Sequence, residues 1–129
     1  MRLIRTARRL LPALLLACSA AAAQPPQVAS GGQVVLGTYY EVSGPGCQAL
    51  SAPRVRITEP GRLGKAIVVR TEGQAQATPR CPHRKVPVAT VLYQADQPGL
   101  DNVTWEVRYQ QRGQPVQRHA ADVRVAPRR

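Results

Sequence analysis

Apolar and polar residues alternate one by one along most of this chain. The clearest segment runs from Asn102 to Gln110, where Val103, Trp105 and Val107 share one face. A second segment sets Val34, Leu36, Thr38, Tyr40 and Val42 against Val35, Gly37, Tyr39 and Glu41. A period of two residues indicates a β-strand with one buried face, and no stretch shows a convincing helical period. The pattern predicts an all-β, antiparallel β-sandwich of six or seven strands with Greek-key links.

Turn residues divide the alternating pattern into short segments. Strands are predicted over residues 34–42, 54–58, 65–71, 86–93, 102–110 and 116–125. Pro87 favours a sheet edge or the first residues of its strand, because proline has no N–H to donate to a ladder. Residues 72–85 contain glycine, proline and many polar side chains, so a long loop is expected there. Trp105 is expected to anchor the core.

The first 23 residues have the layout of a secretory leader. Four arginines precede an uncharged run of 14 residues, which closes on Ala21–Ala23 as a cleavage site. The run is shorter than the roughly 20 apolar residues of a membrane-spanning helix. We therefore expect a signal peptide at 1–23, a flexible segment at 24–32 and one domain at 33–129, in a secreted or periplasmic protein with no transmembrane segment in its mature chain.

A second route of processing stays open for the leader. Leu15–Cys18 resembles the lipobox of bacterial lipoproteins, in which the cysteine becomes a lipidated N-terminus. Lipidation at Cys18 would tether the domain to a membrane, whereas cleavage after Ala23 would release it. Either route removes Cys18 from the fold.

Removal of the leader also changes the charge and the cysteine content. Four of the 18 basic residues leave with it and all seven acidic residues stay, so the net charge falls from +11 to +7. The two remaining cysteines, Cys47 and Cys81, permit a single pairing in an oxidising compartment. We expect a Cys47–Cys81 disulfide that clamps two loops. The arginines are spread over alternate strand positions without an aromatic platform, which argues against a nucleic-acid partner.

Residues 93–126 resemble the motif of bacterial secreted Ig-like and cadherin-like repeats. That motif has a tyrosine, a proline–glycine turn, an aspartate, and then alternating apolar and aromatic positions, which Asp101, Val103 and Trp105 would occupy. The chain departs from it by lacking a second glycine and a residue or so before Asp101. The resemblance implies an Ig-like sandwich of seven strands, and it is nearly silent on function. Asp96 and Asp101 are too few for calcium, which takes six to eight oxygen ligands, so no cofactor is expected.

The densest group of functional side chains in the mature chain is Arg80, His83, Arg84 and Lys85, beside Cys81. A basic loop held by a disulfide loses little entropy when it binds an anionic partner; charges that simply face water are the other interpretation. The acidic residues are scattered and no nucleophile motif is present, so no catalytic residue is predicted.

Two hypotheses of function follow. The first is a non-catalytic interaction module that binds a protein or an anionic cell-envelope polymer through Arg80, His83, Arg84 and Lys85. The alternative is a small periplasmic protein that binds copper or zinc through His83 and His119, although metal sites usually need three or four ligands.

Overall fold

The computed structural model describes residues 24–44 and 46–128, which form seven strands and no helix. The strands are β1 (Gln27–Ala29), β2 (Gln33–Tyr39), β3 (Arg54–Glu59), β4 (Gly64–Ala75), β5 (Arg84–Ala95), β6 (Gly99–Arg108) and β7 (Gln117–Ala126). The leader predicted for residues 1–23, with Cys18, lies outside the described residues. Within the described part of the chain, no helix is long and apolar enough to cross a membrane.

The strands form two sheets that pack face to face as a β-sandwich. One sheet has the order β1-β7-β6-β3 and the other the order β2-β5-β4. All pairs are antiparallel except β1 with β7. The order is that of an immunoglobulin domain whose first strand has joined the sheet of β3, β6 and β7. The predicted fold class is thus confirmed, with one parallel pair added.

Segment 24–32 differs from its prediction as a flexible entry. Its residues 27–29 form β1 and pair in register with residues 124–126 of β7. Val28 is buried and belongs to the main core, while the N–H of Gly31 donates to the carbonyl of Ala95. An alternation over three residues is too short to be recognised in the sequence. The pairing with β7 and the hydrogen bond to Ala95 of β5 attach the segment to both sheets.

A β-bulge in β2 changes which of its side chains face the core. The register shifts between Val35 and Gly37 against β5. Tyr39 therefore joins Val34 and Leu36 on the core face, and Glu41 follows it inward. Tyr40 and Val42 pack instead on the outer face of the three-stranded sheet. The unbroken alternation read from the sequence was wrong beyond residue 36, because the bulge adds one residue to the strand.

The loop predicted at 72–85 is shorter than expected, because β4 and β5 are each twelve residues long. Their ladder continues without interruption from Gly64 opposite Ala95 to Ala75 opposite Arg84. At its far end, Val86 and Val88 are buried on the outer face. Because these valines are buried, the two strands continue into the polar segment that was predicted as a loop. Only residues 76–83 lie between them.

Pro87 lies in the central strand of its sheet, at a point where that strand is locally an edge. Ala95 exchanges backbone hydrogen bonds with Gly31 and Gly32, so odd-numbered residues of β5 direct their backbone groups toward β2. The β2 ladder ends at Ala89. At Pro87 no strand of the described chain lies on that side of β5. The lack of an N–H in proline therefore removes no hydrogen bond from the sheet.

The main core lies between the two sheets, around Tyr93, Val103 and Trp105. Trp105 is 3% exposed, which confirms its predicted role as an anchor. Its Nε1 donates a hydrogen bond of 2.9 Å to the hydroxyl of Tyr39 on the opposite sheet. The polar edge of the indole is thus satisfied while its rings stay buried.

Asp101 fastens the turn between β3 and β4 to the rest of the fold. It is 5% exposed and accepts hydrogen bonds from the N–H groups of Arg62, Leu63 and Asn102 and from the hydroxyl of Tyr93. Burial by itself would raise the pKa of Asp101, but these hydrogen bonds outweigh it and hold the pKa below its ordinary value. Backbone donors therefore occupy this carboxylate, which acts as a structural staple.

Candidate functional site

A disulfide joins two loops at the end of the sandwich opposite Asp101. Cys47 lies in the β2–β3 connection and Cys81 in the β4–β5 loop, and their Cα atoms are 5.6 Å apart. Both cysteines are half-buried rather than enclosed in the core. The predicted pairing and its role as a loop clamp are confirmed.

Short-range hydrogen bonds give both loops a defined shape. In the first, Val42 bridges to Ala49, and the N–H of Ser43 donates to the carbonyl of Gln48. In the second, Thr78 and Cys81 exchange backbone hydrogen bonds, and the N–H of Cys81 also reaches the Thr78 hydroxyl at 3.0 Å. The loops are therefore held internally as well as to each other.

A groove of about 240 Å³, here called the disulfide groove, opens between these loops. Its lining residues are Tyr40, Val42, Ser43, Gly44, Cys47, Ala75, Gln76, Thr78, Arg80, Cys81, Pro82 and Arg84. Its floor belongs to the small apolar cluster in which Ala75, Val86 and Val88 are buried. Among the described residues, this lining has two guanidinium groups and no acidic residue, so the groove combines an apolar floor with positive charge.

The four predicted contact residues do not all reach this groove. Arg80 and Arg84 line it. Nδ1 of His83 donates a hydrogen bond of 3.2 Å to the carbonyl of Ala75, which closes the base of the loop. Lys85 follows Arg84 within β5, and successive strand residues point to opposite faces. The structure thus brings together two arginines and leaves Lys85 on the other side of the sheet.

The two arginines are not neutralised by neighbouring acids. In residues 24–44 and 46–128, the ion pairs join Glu106 to Arg56 at 3.0 Å and to Arg118 at 3.4 Å, both on the other sheet. The charges of Arg80 and Arg84 are therefore available to a ligand.

The histidines of the metal hypothesis lie in different parts of the fold. His83 is in the β4–β5 loop, whereas His119 is on β7 of the other sheet. The ring of His119 stacks on Trp105, with centroids 5.7 Å apart and planes inclined by 14°. The described residues contain no group of three or more His, Cys, Asp or Glu side chains that could hold a metal ion. Nothing in this geometry joins His83 and His119 into one site.

Sequence reasoning missed a second pocket, which holds Glu41. Glu41 is 5% exposed, and its Oε1 accepts a hydrogen bond of 2.6 Å from the N–H of Gln110. Its Oε2 is buried and has no hydrogen-bond donor among the described residues. Three glutamines, two tyrosines and Val42 line a cavity of about 240 Å³ with Glu41: Tyr40, Val42, Tyr109, Gln111, Gln114 and Gln117.

The Glu41 pocket adjoins the disulfide groove, because Tyr40 and Val42 line both. Burial raises the pKa of Tyr109 above that of a free phenol, and the nearby Tyr39 and Glu41 raise it further. A single carboxylate among amides and phenols lacks the paired acid and base of hydrolytic sites. Only the β2 bulge turns Glu41 inward, so a strict alternation could not have found this pocket.

Comparison with protein-family models, with curated proteins and with solved structures finds no match for this chain. The resemblance of residues 93–126 to Ig-like and cadherin-like repeats therefore stays a prediction.

Proposed function

We propose that this chain is a non-catalytic interaction module, secreted or periplasmic, that binds a segment of another protein in the disulfide groove. The segment would place one apolar side chain on the groove floor and a carboxylate beside Arg80 and Arg84. The observation that carries the proposal is that both arginines belong to one apolar groove whose lining contains no acidic residue. The leader and the disulfide support a location outside the cytoplasm.

The apolar floor favours a protein partner over an anionic polymer. Tyr40, Val42 and Ala75 offer an apolar surface that a polyphosphate or acidic polysaccharide backbone would leave unused. A buried leucine-sized side chain contributes roughly 1.5–3 kcal/mol, which is comparable to a hydrogen bond from a charged group. A ligand that carries both groups therefore uses the groove more fully than a ligand with charge alone.

The size of the groove indicates what kind of segment fits. A volume of about 240 Å³ is smaller than the pockets of roughly 300–1,000 Å³ that enclose drug-sized ligands. It suits one or two side chains of a polypeptide that continues over the surface. Because the disulfide and the hydrogen bonds within the loops already hold the groove in shape, binding costs little loop ordering.

The experiment is a titration of the purified exported protein, labelled with ¹⁵N, with the peptide acetyl-Leu-Glu-Glu-amide. We expect backbone amide shifts at residues 42–44 and 76–84. Acetyl-Leu-Gln-Gln-amide lacks the charge and acetyl-Gly-Glu-Glu-amide lacks the apolar side chain, so each should bind more weakly.

A pair of neighbouring variants separates the groove from net charge. Arg84→Gln and Lys85→Gln each remove one positive charge, but only Arg84 lines the groove. We expect Arg84→Gln to weaken the peptide by about tenfold, as loss of one charge-assisted hydrogen bond implies, and Lys85→Gln to change it little. Equal effects of the two variants, or tighter binding of polyglycerol phosphate than of the peptide, would refute the proposed peptide site. The second result would favour an envelope polymer.

A further inference from the structure

Strand β4 is a long edge strand. It contains twelve residues, Gly64–Ala75, and has β5 as its only neighbour in the three-stranded sheet. Strands in globular proteins average about five to six residues, and a long open edge is a template for pairing with another chain. The open edge of β4 does not depend on the function proposed for the disulfide groove, although Ala75, the last residue of β4, also lines that groove.

The backbone groups on the open side of β4 can be identified from two hydrogen bonds. The N–H of Ala66 donates to Pro60, so it points away from β5. Independently, the backbone of Ala95 points toward β2, so the even-numbered residues of β5 face β4 and pair with odd-numbered residues of β4. Both observations place the even-numbered residues of β4 outward. From residue 68 to residue 74, none of these groups forms a backbone hydrogen bond across the open edge within the described chain.

We infer that β4 pairs with β4 of a second copy of this chain, antiparallel and about a two-fold axis at Thr71. In this register Arg70 lies opposite Glu72 of the second copy, and Val68 lies opposite its Gln74. All four residues direct their backbone groups outward, so every such group between Val68 and Gln74 gains a partner. The arrangement is isologous and closes at two copies.

Charge selects this register over its neighbours. Arg70 and Glu72 are both exposed, and neither forms an ion pair within the described residues. A shift of the two-fold axis by one residue sets Arg70 opposite Arg70, or Glu72 opposite Glu72, and like charges directly opposite are destabilising. The register at Thr71 alone forms the Arg70–Glu72 pair twice.

The outer face of the strand fits the same register. Odd-numbered residues of β4 share the outer face with Val86 and Val88. There Val69 would lie opposite Gly73 of the second copy, and Ile67 opposite its Ala75. Thr71 would meet its own copy at the axis, in the kind of threonine pair that stabilises sheets. The result is one continuous six-stranded sheet of order β2-β5-β4-β4-β5-β2.

Charge exchange in the purified exported protein tests this dimer. Sedimentation velocity from about 1 µM to about 200 µM covers the weak affinities of small interfaces. We expect the wild type to approach twice the monomer mass. Arg70→Glu and Glu72→Arg, each alone, set like charges opposite each other and should raise the dissociation constant by at least about tenfold.

The double variant Arg70→Glu/Glu72→Arg restores opposite charges across the axis, so it should recover the dimer. Arg124→Glu, on β7, changes the net charge as much as Arg70→Glu does and should leave the dimer intact. Tryptophan fluorescence verifies that each variant is folded. Charged residues on an edge strand can instead serve to prevent pairing. A wild type that stays monomeric at every concentration supports that reading and overturns the inference, and so does a double variant that fails to recover the dimer.

Discussion

Loss of the Cys47–Cys81 disulfide should remove a large share of the stability of this domain. The two cysteines are 34 residues apart in sequence. In the chain-entropy model, freeing a loop of that length gives the unfolded chain about 13 cal/mol/K, or about 4 kcal/mol at 25 °C. Domains of this size unfold with only about 5–15 kcal/mol. The variant Cys47→Ala/Cys81→Ala should therefore melt about 15–20 °C lower than the wild type.

Urea unfolding followed by fluorescence measures this loss, because Trp105 is the single tryptophan and is 3% exposed in the fold. Wild type reduced with a phosphine isolates the bond itself, while the double variant adds the change of side chains. Cys47 has a backbone φ of 50°, and alanine retains that strain, so both samples should lose the same amount. A loss below about 1 kcal/mol in both would refute the loop-closure argument. The hydrogen bonds within the loops would then suffice to hold them.

Three further substitutions test the buried carboxylates and the turn beside one of them. Asp101→Asn should cost about 1–3 kcal/mol at pH 7, because an amide nitrogen cannot accept from the surrounding N–H donors. The pKa of Asp101 is lowered by folding, so its contribution is complete above the unfolded value of 3.8 and is lost as pH falls through the folded value. Urea unfolding at pH 7 and pH 3 should therefore show a smaller acid loss in Asp101→Asn than in wild type. Gly61→Ala should cost about 2 kcal/mol or more, since Gly61 has a φ of +100° and a Cβ there would lie 2.5 Å from Oδ2 of Asp101. Gly113→Ala, at a φ of +82° with open space around it, is its matched control in thermal melts and should lose less. Glu41→Gln keeps an acceptor for the N–H of Gln110 but places an amide NH2 where Oε2 has no partner in the described chain, so it should lower the free energy of unfolding by about 1–3 kcal/mol in urea; an unchanged value would show that the pocket offers the amide an acceptor or water.

The fold was predictable from the sequence because the alternation of apolar and polar residues recurs in six of its seven strands, β2 to β7. Alternation in β6 predicted the burial of Val103, Trp105 and Val107, and the pairing of Cys47 with Cys81 followed from counting the cysteines left after the leader. The first prediction depends on an alternation that spans many residues, and the second on a count that leaves only one possible pairing. Tertiary structure hardly alters such regularities.

The candidate site was harder to predict because it depends on one irregular position. The bulge near residue 36 exchanges the two faces of β2, and so it turns Glu41 inward and places Tyr40 and Val42 on the groove. A run of alternating residues reads the same with or without such an insertion. Arg84 and Lys85 are neighbours in sequence, but both belong to β5, so their side chains point to opposite faces of the sheet.

Two buried carboxylates mark the opposite ends of the sandwich, and the difference between them indicates where binding belongs. Asp101 accepts hydrogen bonds from four donors of the same chain, so the buried carboxylate at the end where β4 begins is fully paired within the fold. Glu41 receives one donor and leaves Oε2 without a partner in the described chain, at the end that also needs a disulfide. Unsatisfied polar groups concentrate where a structure serves a purpose other than its own stability. The Asp101 end is therefore the scaffold, and a ligand is expected at the end of Glu41 and the disulfide groove.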